Sequence, residues 1–215
     1  AELHLRAGDT DVALTVLAPA IDQLPDGPLK SLAQSIQATT EFVTDSFGLA
    51  AQTLASALMV EDLDINFRVA AQALMAFAEL MDGQYAAALR HASSAVDDGE
   101  STDPTARSSA LAVHALVQLY CGRRVDEAAL QTARDLEAED SRVPIPCRAS
   151  TVTALIRGWT GDLDGGIAGF TEIAQSLRRR GADTELIYVL IYLTVFNIWR
   201  GRYDDASRHA AECYE

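Results

Sequence analysis

Residues 192–211 read YLTVFNIWRGRYDDASRHAA. The apolar and aromatic residues Tyr192, Leu193, Val195, Phe196, Ile198 and Trp199 run up to Gly201 and stop there. Tyr203 and Asp204-Asp205-Ala206 follow, and a second helical segment begins. Glycine tolerates the left-handed backbone that ends a helix, so the stretch predicts a helix, a tight turn and a second helix.

The same order recurs along the chain. Gly8-Asp9-Thr10 leads to Ala13, Gly83-Gln84-Tyr85 to Ala88, and Gly161-Asp162-Leu163 to Gly166. Asp45-Ser46-Phe47 leads to Ala50 with Asp in the glycine place, and Gly122 leads to Ala128 with one residue inserted. The turn residues Gly8, Asp45, Gly83, Gly122, Gly161 and Gly201 are separated by 37, 38, 39, 39 and 40 residues. Six such positions at near-equal steps predict a repeat protein.

The units agree in register as well as in spacing. Small residues after the turn (Ala13, Ala50, Ala88, Ala128, Gly166, Ala206) are expected to let the two helices of a pair approach. Val43, Met81, Tyr120, Trp159 and Trp199 end the first helices, whereas Arg6 holds that place in the first unit. Phe47, Tyr85, Leu163 and Tyr203 are placed to cover the turns. One pair cannot bury its apolar face alone, so neighbouring pairs must stack.

The register predicts helices near 2–7, 9–22, 29–44, 47–60, 63–81, 84–97, 105–121, 125–138, 147–160, 163–180, 183–200 and 203–214, as a single helical repeat domain over 1–215. Pro19 falls late in the second of these and is expected to end it early. The longest polar connection is expected at 97–105, the best place for mobility, with another at 137–146. Ile187 to Phe196 has strand-like composition, but the register requires a buried helix there. Both ends cut through a unit, which suggests a piece of a longer protein.

The net charge is −14 with only one lysine, Lys30. Phosphate neutralisation needs clustered cations, so direct nucleic-acid binding by this segment is not expected. Arg178-Arg179-Arg180 is read as a cationic helix C-terminus. Cys121, Cys147 and Cys213 have no disulfide or metal spacing and point to free thiols in a reducing cytoplasm. No apolar run has the length of a membrane span.

No catalytic, cofactor-binding or metal-binding residue is assigned. His91 and His209 occupy equivalent positions three units apart, too far along the array to share a metal ion. The pairs Asp97-Asp98, Asp126-Glu127 and Asp204-Asp205 diverge on a helix or turn, and the last two are expected to start second helices. Asp162, Asp164, Gly165 and Gly166 resemble a calcium loop, but Ile173 stands where its bidentate glutamate belongs. There is no phosphate-binding Gly-rich loop with Lys and no Gly-x-Ser-x-Gly elbow. Trp159 and Trp199, in matching register, are expected to pack between units. Asn66, Arg68, Arg107, His114, Arg148, Arg157, Tyr188, Tyr192 and Asn197, all on first helices, are candidates for lining a concave binding groove. His114 shares its face with Gln118.

The unit from Leu190 to Cys213, with Gly201-x-Tyr203-x-x-Ala206, resembles a tetratricopeptide repeat. Steps of 37–40 residues exceed the usual 34 and resemble the longer repeats of large LuxR-type ATP-binding transcription regulators, relatives of the maltose-regulon activator. Arg202-Tyr203-Asp204-Asp205-Ala206-Ser207-Arg208-His209-Ala210 has the flavour of actinobacterial members. The resemblance implies an all-α, right-handed superhelical solenoid of about six helix-turn-helix units. It implies a sensor or transmission region that binds a protein, a peptide or a small-molecule inducer, beside ATPase and DNA-binding domains of the same polypeptide. A constitutive scaffold is the alternative. No catalytic or DNA-contacting residue carries over.

Overall fold

A computed structural model of the chain describes residues 4, 9–44, 46–138 and 143–213. The turn residues Gly8 and Asp45, Arg6, the predicted helix 2–7 apart from His4, the middle of the 137–146 connection and the last two residues lie outside them. Among the described residues there are eleven α-helices and no strand. They are α1 (Thr10–Gln23), α2 (Pro28–Val43), α3 (Phe47–Ala57), α4 (Ile65–Met81), α5 (Tyr85–Gly99), α6 (Pro104–Tyr120), α7 (Glu127–Leu136), α8 (Ala149–Trp159), α9 (Leu163–Arg180), α10 (Asp183–Arg200) and α11 (Tyr203–Glu212). A short 3-10 turn, Ile145–Cys147, precedes α8.

One backbone hydrogen bond recurs at every predicted turn. Asp9 N donates to His4 O, Ser46 N to Glu41 O, Gln84 N to Glu79 O, Arg123 N to Gln118 O, Asp162 N to Arg157 O and Arg202 N to Asn197 O, all at 2.8–2.9 Å. At Gly83, Gly122, Gly161 and Gly201 this is the six-to-one bond of a glycine-terminated helix, closed over a residue in the left-handed region. Gly122 (φ 66°) and Gly201 (φ 79°) supply that conformation without the steric cost a Cβ would add.

Packing follows the pairing. Second-helix residues Ala13, Ala50, Ala88 and Ala206 are buried. A Cβ at Gly166 would lie 3.0 Å from Ala154 O, so α8 and α9 meet almost backbone to backbone. First helices also meet one another, α4 on α6 and α6 on α8. Ser31 Oγ donates to Ala57 O and Ser108 Oγ to Ala133 O, so the same tie from a first helix to the end of its partner appears in two pairs. One continuous core runs from Ala38 to Phe196.

The structure departs from the sequence reading at several places. Pro19 lies inside α1, which continues to Gln23. The proline is on the solvent side while Leu17 and Ile21 are buried around it, so packing outweighs the missing bond. Ala128 is exposed and is not the close-approach residue of its pair. The inserted residue lengthens the 121–126 connection, and Leu130 and Ala133 are the buried residues of α7. α3 stops at Ala57 rather than 60. The 97–105 connection shrinks because α5 runs to Gly99 and α6 starts at Pro104. Asp103 N donates to Asn66 Oδ1 there, and Thr102 Oγ1 to Gly99 O. The strand-like run from Ile187 to Phe196 is helical, within α10.

Candidate binding surface

The first helices carry an aromatic cluster on the C-terminal side of the array. Trp159 ends α8 and Trp199 nears the end of α10, with ring centroids 5.0 Å apart. Tyr192 stands edge-on to Trp159 at 6.5 Å, stacks on Phe170 of α9 at 5.4 Å, and touches Tyr188 one turn earlier at 5.0 Å. Phe196 fills the middle, 5.8 Å from both tryptophans. Gly158 makes this possible, because a Cβ there would overlap the Phe196 ring. The two tryptophans pack between successive pairs, as their register predicts. They also remain 40% and 51% exposed. The cluster therefore has a buried floor of Phe170 and Phe196 and a solvent-facing rim of tryptophan.

Polar groups lie beneath the rim. The Tyr188 and Tyr192 hydroxyls face one another, and buried Tyr188 Oη forms no hydrogen bond of good geometry. Burial raises the pKa of both phenols, and that of Tyr120 at the end of α6. All three stay protonated at neutral pH, as hydrogen-bond donors. Beneath them the Cys147 thiol is buried, and its pKa rises to about 12. It is no nucleophile, since only a thiolate attacks.

The nine residues proposed to line a groove do not form one surface. Tyr188 and Tyr192 belong to the aromatic cluster. Asn197 is buried and donates to Leu193 O within α10. Arg148 is buried too, donating to Val143 O at 2.7 Å and to Glu185 of α10 at 3.1 Å, and so ties the start of α8 to α10. Arg157 is exposed, 3.8 Å from Asp162. Asn66 holds Asp103 N, and Arg107 is exposed at the start of α6. Arg68 donates to Glu61 O and lines an open depression of about 410 Å³ with Leu58, Met59 and Gln72. His114 is half-buried, 3.5 Å from Ser93 of α5, and its neighbour Gln118 accepts from Asp126 N. Burial lowers the His114 pKa, against Asp97 and Asp126, so the ring is neutral at pH 7.

Other singled-out groups take structural places. His91 Nδ1 lies 2.7 Å from Glu79. Asp162 is the N-cap of α9, accepting from Gly165 N, and Asp126 caps α7 through Ala128 N and Ala129 N. Asp204 and Asp205 lie in the first turn of α11. Arg178, in the last turn of α9, donates twice to Glu212 at 2.7 Å. The three cysteines are free thiols. Among the described residues, no group of three or more His, Cys, Asp or Glu is placed to hold a metal ion.

Sequence reasoning missed the exposure of the tryptophan pair, the Arg148–Glu185 bridge and the Glu137 carboxylate. Glu137 accepts from Ser150 N at 2.6 Å and Ser150 Oγ at 2.7 Å, and so holds the first turn of α8 from the end of the preceding pair.

No family model and no curated protein matches the chain. Among solved structures it is similar to BtubC (BKLC) from P. vanneervenii, at a TM-score of 0.52 and 14% identity, over all of this chain and 90% of that one. This is a likeness of fold alone. No helix among the described residues is long and apolar enough to cross a membrane.

Proposed function

We propose that the chain is a non-catalytic, tetratricopeptide-like array whose stacked pairs form a right-handed superhelix that binds a protein or peptide. The observation that supports it most is the same turn hydrogen bond at six near-equal steps, with the Trp159, Tyr192 and Trp199 side chains gathered beside the last two turns. Such rims suit recognition, since aromatic rings give large contact areas at low entropic cost. The pocket beside Ser108, Glu137 and Cys147 measures about 10 Å³, room for at most one water.

We read this binding event as part of signal transmission, a reading that the resemblance of the repeats to those of LuxR-type ATP-binding regulators supports. Binding would shift an equilibrium between inactive and active forms of a larger polypeptide, given unequal affinity for the two. The test is ATP binding and DNA binding by the full-length polypeptide. Both activities, with a response to partner that Trp159→Ala or Trp199→Ala weakens, are expected. A full-length polypeptide with neither activity overturns the regulator reading and leaves a constitutive scaffold, which the exposed rim alone supports.

A further inference from the structure

The depression beside Arg68 lies at an inner joint of the array. Leu58, Met59, Val60 and Glu61, in the connection after α3, form one wall, and Arg68 and Gln72 of α4 form the other. Helices α1 to α3 precede this joint and α4 to α11 follow it, so its openness does not come from an uncovered end face. Met59 is 83% exposed there, an apolar side chain that its own chain leaves bare.

The surroundings are acidic. Glu61 and Asp62 are exposed in the connection. Asp98 stands in the last turn of α5, where Gln72 Nε2 donates to its Oδ2 at 3.4 Å. Among the described residues none of these three carboxylates has an ion pair. Arg68 donates through Nη2 to Glu61 O at 3.0 Å, which leaves other N–H groups of its fork for an acceptor. Gln72 Oε1 is buried without a donor, and a small turn of the amide toward an incoming N–H would satisfy it.

These groups define what fits. Apolar walls beside unpaired carboxylates suit an aliphatic stem that ends in a cation, which is the shape of a lysine side chain. Arg68 adds a demand for a carbonyl oxygen close by, which a polypeptide has and a free polyamine lacks. The net charge of −14 steers a cationic partner toward the chain.

We infer that this depression docks a lysine-bearing basic segment of a partner protein. The lysine stem lies on Leu58 and Met59, its ammonium is drawn to the Asp98 and Glu61 carboxylates, and a neighbouring main-chain carbonyl accepts from Arg68. The site is separate from the tryptophan rim and does not depend on the regulator reading.

Fluorescence anisotropy of labelled octalysine with the intact chain tests it, at about 0.15 M salt, where exposed charges are screened beyond about 8 Å. Octalysine should bind, and Asp98→Asn should raise its dissociation constant at least about tenfold. Met59→Ser, at the exposed wall, should weaken binding with an unchanged thermal midpoint. Glu172→Gln, which removes an equal charge from the exposed side of α9, should leave binding unchanged. Arg68→Gln gives the sharpest contrast. It removes a positive charge, so attraction by bulk charge alone would tighten binding, whereas loss of the carbonyl contact weakens it. Spermine, with ammonium groups and no carbonyl, should displace octalysine poorly. Absence of binding, equal effects of Asp98→Asn and Glu172→Gln, indifference to Met59→Ser, tighter binding by Arg68→Gln, or efficient displacement by spermine would each overturn the inference.

Discussion

The ring of Phe196 occupies the space that a side chain on Gly158 would need. Gly158 is near the end of α8, Phe196 near the end of α10, and this contact seats one pair on the next. Gly158→Ala is expected to overpack the site and lower stability by about 1–3 kcal/mol. Adding Phe196→Leu should recover part of the loss, because the two residues share one volume. Urea denaturation of the two single variants and the double variant measures the coupling. An additive result would contradict the account.

Much of the fold was legible because turns are punctuated locally. Gly83, Gly122, Gly161 and Gly201 sit where a positive φ is required, and their spacing needs no knowledge of packing. Ala128 shows the limit. One inserted residue moved the start of α7, and the small-residue rule then pointed at an exposed position. The binding residues were less legible because helix phase and neighbours decide what a side chain faces. Asn197 and Arg157 both sit four residues before their turn glycines, yet one is buried and the other exposed. The Arg148–Glu185 pair is 37 residues apart and has no local signal.

That pair yields a second prediction. Arg148 is buried and Glu185 is partly exposed, so the losses should be unequal. Arg148→Ala removes the bonds to Glu185 and Val143 O together and should cost about 2–4 kcal/mol. Glu185→Ala should cost less, about 1–2 kcal/mol, because the acid is partly exposed and Arg148 keeps its bond to Val143 O. Equal losses in thermal or chemical denaturation would argue against the bridge.

Glu137 provides a third. Its carboxylate binds the Ser150 amide and hydroxyl at the first turn of α8, where the helix dipole favours negative charge. Glu137→Ala should lower stability by about 1–2 kcal/mol, as loss of a capping group does. Glu137→Gln should lose less, since the amide oxygen still accepts one bond. Chemical denaturation of both variants checks the order.

The pH dependence follows from His114. Burial lowers its folded pKa below the ordinary histidine value near 6.5, so the unfolded chain takes up the proton first. The stability from the neutral ring is fully present above that value and is lost as pH falls below it toward the lowered folded pKa. His209, also lowered by burial, acts in the same direction. His114→Gln should therefore flatten the stability profile between about pH 7 and pH 5. An unchanged slope in denaturation midpoints would contradict the assignment.

Hydrogen exchange tests the repeated architecture most directly. The amides of Ser46, Gln84, Arg123, Asp162 and Arg202 each close the same bond over a helix end. Residue-resolved exchange by nuclear magnetic resonance should find all five protected, although each lies at a connection where unstructured amides exchange freely. Rapid exchange at two or more of the inner three, Gln84, Arg123 and Asp162, would contradict an array of equivalent helix pairs.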